Sequence, residues 1–197
     1  MLAAATLAPA VAADEPSKAD QPTVQRAVHV CAACHGDSGR STVAIYPRLA
    51  GQVPLYTIAQ LKAFRDQKRA ELDPQAYMWG VSALLDDATI DGLAEYFASQ
   101  TPAEGKKGNP ARIAAGKKIF EDGIPGRGVR ACASCHGDHA EGASVFPRLA
   151  GQHADYLLRQ LTEFGTRLRP HGVLMKNETA NMTAADKRAV AEYLQSL

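Results

Sequence analysis

No run of apolar residues in this 197-residue sequence approaches the roughly 20 needed for a helix to cross a bilayer. A spanning helix is therefore not expected, and the processed chain is expected to be soluble. Net charge is nearly absent too, with 22 Lys and Arg against 21 Asp and Glu, so no basic field points to nucleic acid. No strand-like alternation stands out, which leaves helices to build the fold. Cysteine is scarce: there are four, all inside two Cys-x-x-Cys-His segments, with none left over. Methionine is equally scarce, and Met1 belongs to an Ala-rich leader, residues 1–13 (MLAAATLAPAVAA), that meets Asp14 and Glu15. That leader resembles the apolar and cleavage regions of a secretory signal peptide without its positively charged start, and it predicts export to the periplasm.

What is present is a duplication. Cys31-Ala32-Ala33-Cys34-His35-Gly36-Asp37 recurs as Cys132-Ala133-Ser134-Cys135-His136-Gly137-Asp138. YPRLAGQ at 46–52 recurs as FPRLAGQ at 146–152. Tyr56, Gln60, Leu61 and Phe64 recur as Tyr156, Gln160, Leu161 and Phe164, and Ala94-Glu95-Tyr96 recurs as Ala191-Glu192-Tyr193. Four anchors in one order mark an internal repeat. The boundary falls in TPAEGKKGNP at 101–110, which has linker composition. The expected domains are 14–101 and 111–197, joined by 102–110. Each is about 85 residues, small for a core of side chains alone, so a large buried cofactor would supply the missing apolar mass. Residues 1–101 carry 8 basic against 11 acidic side chains and the remainder 14 against 10, so the halves differ in sign.

Helical periodicity supports an all-α fold. Ile90, Leu93, Ala94 and Phe97 follow i, i+3, i+4, i+7 spacing, and Val190, Ala191 and Leu194 match them in the second half. Thr183 with Asp186 forms a capping-box pattern, and Asp86 occupies the equivalent cap. Further helices are predicted over 55–68, 156–167 and 111–121, and ahead of the first cysteine pair.

Cys-x-x-Cys-His is the attachment signature of c-type haem. Two cysteines three apart reach the two vinyl groups of one porphyrin and form thioethers, and the next His projects toward the iron. Cys31, Cys34 and His35 would hold one haem, and Cys132, Cys135 and His136 the other. A thioredoxin-type motif would want a βαβ setting, and half a zinc site would leave the repeated downstream module unexplained. The offset of 97 set by the Ala-Glu-Tyr anchors places Met78 opposite Met175, each between a haem motif and a last helix, so these two are the predicted sixth ligands. Met182 aligns with Leu85 and reads as core filling. His171 competes weakly for the second iron, His29 lies too close to Cys31, and His139 and His153 read as exposed. The carbonyls of Pro47 and Pro147 can accept the Nδ1–H of the two histidines, and Arg48 and Arg148 can neutralise haem propionates. Tyr46, Phe146, Trp79, Tyr56 and Tyr156 read as pocket and packing aromatics.

CAACHGDSG, YPRLAGQ, the Met78 region and DGLAEYF in the first half resemble the dihaem cytochrome c4 family, as do GVRACASCHG, FPRLAGQHADYLLRQL and AVAEYL in the second. The resemblance runs from about residue 22 to 197. It implies two tandem cytochrome c-like domains related by a pseudo-two-fold, with haem edges facing each other and His/Met ligation. It also implies periplasmic one-electron delivery, often to a terminal oxidase. RPHGVLMKNETANM at 169–182 departs from the family's usual sequence, so His171 and Met182 stay open beside Met175. With both axial positions filled, the iron has no open site and the chain is not expected to be an enzyme. The expected partners are a membrane-bound terminal oxidase and an upstream cytochrome complex, with peripheral membrane contact open. Two alternatives remain: an electron-transfer subunit of a sulfide- or alcohol-oxidising dehydrogenase, and a dihaem enzyme with one labile axial site.

Overall fold

The computed structural model describes residues 20–70 and 75–197; the leader expected at 1–13 lies outside them. Asp20 caps α1 (Gln21–His35) by accepting from the Thr23 amide at 2.8 Å, and Pro22 sits in the first turn, where its missing N–H is not needed. The helix stops at Gly36, whose φ of 76° favours glycine. Val24 and Val28, one turn apart, pack against Leu93 and Phe97 of α4 (Asp87–Ala98). Between them lie α2 (Pro54–Arg65) and α3 (Gln75–Ser82). The second half repeats the plan with α5 (Pro110–Asp122), α6 (Ala133–His136), α7 (Ala154–Glu163), α8 (Val173–Thr179) and α9 (Ala184–Ser196). Among the described residues there is no strand, only two isolated bridges, and no helix is long and apolar enough to cross a membrane.

The halves differ where α1 runs unbroken through its Cys-x-x-Cys-His segment. In the second half α5 ends at Gly123, with φ 70°, and a turn containing Pro125 and Gly128 intervenes before α6. The helices predicted over 55–68 and 156–167 are shorter than expected. The first gives way at Asp66, ahead of Gln67 with its positive φ, and the second at Phe164, ahead of Gly165. The periodic faces of α4 and α9 are buried as their spacing predicts, and the capping box at Thr183 and Asp186 is formed. No expectation existed for α3 or α8.

The segment 101–109 is a fastened spacer. Lys106 N donates to Gln195 O at 2.8 Å, Arg48 Nη1 donates to Glu104 O at 3.0 Å, and Asn109 caps α5. Beyond it, α5 crosses α9 so closely that a Cβ at Gly116 would lie 2.0 Å from the Ala189 carbonyl oxygen. Backbone on both sides cannot yield. Gly116→Val is therefore expected to cost on the order of 3 kcal/mol, read as an early thermal transition confined to the second half. A melt that matches the parent would refute the close crossing.

Candidate functional site

Both Cys-x-x-Cys-His runs end on buried histidines, His35 at 7% and His136 at 6% exposure. Their Nδ1 atoms lie 2.8 Å from Pro47 O and 3.0 Å from Pro147 O. A carbonyl oxygen only accepts, so Nδ1 carries the proton in each ring and Nε2 keeps the lone pair that a metal would bind. Burial also pushes the His136 imidazole below its ordinary range, which favours the neutral, ligating ring. Tyr46 and Phe146 stand edge-on to the two imidazoles, with centroids 6.3 and 6.1 Å away. Burial pushes the Cys31 and Cys132 thiols up to about 11. Thiolate chemistry wants the opposite shift, whereas a neutral thioether is at ease in such a place. Among the described residues no three His, Cys, Asp or Glu side chains converge as a zinc site would require.

One continuous cavity of about 710 Å³ reaches both motifs. Met78 on α3 and Met175 on α8 are half-buried on its wall. The two helices end at Ser82 and Thr179, four residues past each methionine, so the offset of 97 is also the offset between the helices. Met182 packs against the core around Phe120 and Leu157, as Leu85 packs against the core around Val24 and Leu93. His171 is exposed and also reaches the cavity wall.

The two arginines of the repeated segment have different surroundings. Arg48 donates from Nε to Ser41 O at 3.3 Å and from Nη1 to Glu104 O and to Gly151 O. Arg148 Nε is buried without a hydrogen-bond partner, a state that costs about 1–3 kcal/mol. Both side chains line the cavity, so a carboxylate such as a haem propionate fits there. The apolar cavity, the neutral thiols, the two Nδ1-protonated imidazoles and this orphaned donor all suit a porphyrin with acidic edges.

Several residues gain roles that the sequence reading did not assign. Gln52 and Gln152 cross between the halves. Arg48 N donates to Gln152 Oε1 at 2.9 Å and Gln152 Nε2 donates to Arg48 O at 2.9 Å. Arg148 N and O meet Gln52 in the same way at 2.8 and 3.0 Å. Arg69 donates to Tyr156, Gln60 and Gln160, and Arg169 to Tyr56, Gln60 and Gln160, which forms a second reciprocal set. Tyr56 and Tyr156 thus bind across the interface, beyond the packing expected of them. The offset of 100 shared by Tyr56/Tyr156 and Gln60/Gln160 also relates Arg69 to Arg169, and that signal was available. Trp79 donates to Arg69 O at 2.7 Å and lies away from the cavity wall. His153, read as exposed, is buried, with Nε2 3.0 Å from Ser41 O of the other half. His139 is exposed as expected.

A duplicated helical unit with paired Cys-x-x-Cys-His sites defines a class of tandem c-type haem proteins. The family model described as Cytochrome c matches residues 24–101 and again 113–197, so the chain belongs to the cytochrome c family. Cytochrome c-552 of Acidithiobacillus ferridurans is 44% identical over 183 residues, 91% of this chain and 78% of the relative. Cytochrome c4 of Pseudomonas aeruginosa is 36% identical and covers 85% of this chain and 84% of its own length. The solved structure of Acidithiobacillus ferrooxidans cytochrome c4 superposes with a TM-score of 0.79 at 43% identity, covering 85% of this chain and 98% of that one. A more distant relative, 35% identical over 170 residues, 83% of this chain and 76% of its own length, is the thiosulfate dehydrogenase electron acceptor of Thiomonas intermedia. The chain is a dihaem electron carrier of the cytochrome c4 kind, with two covalent haem c groups, and it is not an enzyme.

Proposed function

We propose that this chain is a periplasmic one-electron carrier in a respiratory chain, passing electrons toward a membrane-bound terminal oxidase. Cys31 and Cys34 attach one haem and Cys132 and Cys135 the other, while His35 with Met78 and His136 with Met175 hold the irons. When bound, each haem supplies an Fe(III)/Fe(II) couple. The observation that carries this reading is the twin arrangement of His35 on Pro47 O and His136 on Pro147 O, opening into one cavity that also holds both methionines. Each Nδ1–H···O bond fixes its ring and strengthens its Nε2 as a donor. Arg48 and Arg148 offer guanidinium charge to propionates, and the apolar wall excludes water from the iron. With an imidazole and a thioether as its protein ligands, each haem would be limited to exchanging electrons. The acidic first half and basic second half favour docking to different partners through complementary fields.

The test is a spectroelectrochemical titration of the holoprotein with oxidase-containing membranes as acceptor. Two covalently bound haems, a thioether–iron band and oxidase-dependent reoxidation are expected. Reoxidation that does not depend on the oxidase would overturn the pathway, and a resting high-spin haem would overturn the ligand set. The relative named as a thiosulfate dehydrogenase electron acceptor favours a second reading, in which a dehydrogenase delivers the electrons. Rapid reduction by such an enzyme, with a stable complex after mild purification, would select it.

A further inference from the structure

We propose that each half of the molecule tunes the axial histidine of the other half through a single peptide unit: Gln152 acts on His35 and Gln52 on His136. The proposal rests on the reading of His35 and His136 as iron ligands. The Pro47 carbonyl and the Arg48 N–H belong to the same peptide group. Its oxygen accepts from His35 Nδ1 at 2.8 Å, and its N–H donates to Gln152 Oε1 at 2.9 Å. The second half mirrors this, with Pro147 O accepting from His136 at 3.0 Å and Arg148 N donating to Gln52 Oε1 at 2.8 Å. An acceptor at the N–H end shifts amide electron density toward oxygen, and chained hydrogen bonds strengthen one another by roughly 10–30% each. Gln152 thereby strengthens the pull of Pro47 O on the His35 proton, although it lies on the other side of the interface.

The glutamines are built for this work. Both are buried, at 8% and 6% exposure, so water does not compete for their bonds. Each Oε1 also accepts from the next amide of its own chain, Val53 N at 2.9 Å or His153 N at 3.0 Å, which sets the orientation of the side-chain amide. Each Nε2 donates to the carbonyl of the opposing arginine, so the side chain grips Arg48 or Arg148 as a neighbouring strand would. Adhesion alone could use any polar pair in the interface. These bonds fall on the two peptides whose carbonyls hold the imidazoles. Gln52 and Gln152 are positioning residues: a more strongly held Nδ1–H makes the imidazole a better donor and favours Fe(III). Docking of the two halves and the redox balance of both irons are thereby linked.

The experiment is NMR of the fully reduced, diamagnetic holoprotein with Gln152→Leu and Gln52→Leu, together with redox titration of each haem. In Gln152→Leu the His35 Nδ1–H resonance is expected to move upfield and exchange faster with solvent, while His136 stays in place. The ferrous-to-ferric ratio of the N-terminal haem at fixed potential should rise about twofold. Gln52→Leu should give the mirror result. Gln152→Glu keeps the acceptor and the size, should move the His35 proton the opposite way, and serves where the leucine variant does not fold. Movement of both histidines together, as a loosened interface would produce, or of neither, overturns the proposal. If His35 in the parent shows no porphyrin ring-current shift, the ligand assignment itself fails and the proposal with it. A ring-shifted His35 whose Nδ1–H ignores Gln152 sinks the proposal alone.

Discussion

Met78→Ala is expected to remove about half of the thioether–iron band and to lower one of the two reduction potentials by on the order of 0.2 V, a fraction of the ~0.8 V that axial ligation spans. Thioether sulfur is a soft, weak donor that favours Fe(II), so its loss stabilises Fe(III) in that site. The altered haem should become high-spin and bind a small exogenous ligand, while its twin keeps its spectrum. Met175→Ala should do the same to the second haem. Neither methionine belongs to the buried core clusters, so both variants should fold. The second site has two rivals, and spectra separate them. A band unchanged by Met175→Ala but lost with Met182→Ala would move the ligand to the start of α9, against the packing of Met182 on the Phe120 core. A second haem that never contributes to the band, and turns high-spin with His171→Ala, would make it bis-histidine.

What could be read from the sequence followed local rules. The faces of α4 and α9 were legible because Ile90, Leu93 and Phe97, and Val190 and Leu194, repeat at helical spacing and are buried as a stripe. The pairing of His35 with Pro47 was legible because proline has no N–H of its own yet keeps a carbonyl able to accept, and the segment recurs at Pro147. Helices α3 and α8, of eight and seven residues, are too short to show a period, so they surfaced only as carriers of Met78 and Met175. His153 was misread for a different reason. Its burial comes from Ser41 in the other half, 112 residues away, and no local pattern records that approach. Gln52 and Gln152 were visible as the last letters of a repeated segment, yet their partners lie 96 to 104 residues away. Arg48 shows the limit of motif reasoning. The repeat treats it as the twin of Arg148, but its guanidinium is held by three backbone carbonyls while Arg148 Nε is left for another acceptor.

Removing one haem should cost the first half far more than the second. In Cys31→Ala/Cys34→Ala/His35→Ala, expressed with cytochrome maturation, one haem should be retained and α1, α2 and α4 should exchange amide hydrogens freely. The reason lies in what each half buries without its cofactor. Among the described residues the first half encloses a packed cluster of four, Val24, Val28, Leu93 and Phe97, around the α1–α4 crossing. The second encloses seven, including Phe120, Tyr193 and Leu194 on the α5–α9 crossing that Gly116 allows to close. A unit of about 85 residues stands near the lower limit for a core of side chains alone. A group bound only by the folded state adds its binding free energy to stability, so its loss removes that contribution entirely. Among the described residues the helical residues divide evenly between the halves, and the triple variant should lose about half of its helical ellipticity. The mirror variant, Cys132→Ala/Cys135→Ala/His136→Ala, should keep protected amides in α5 and α9 and lose less. The crossed hydrogen bonds of Gln52 and Gln152 then have a further consequence: when the first half opens, Arg148 N loses its acceptor and the surviving haem should shift in potential. Equal helix loss in the two variants, or greater loss in the mirror variant, would mean that the haem and not the side-chain core sets the stability of both halves.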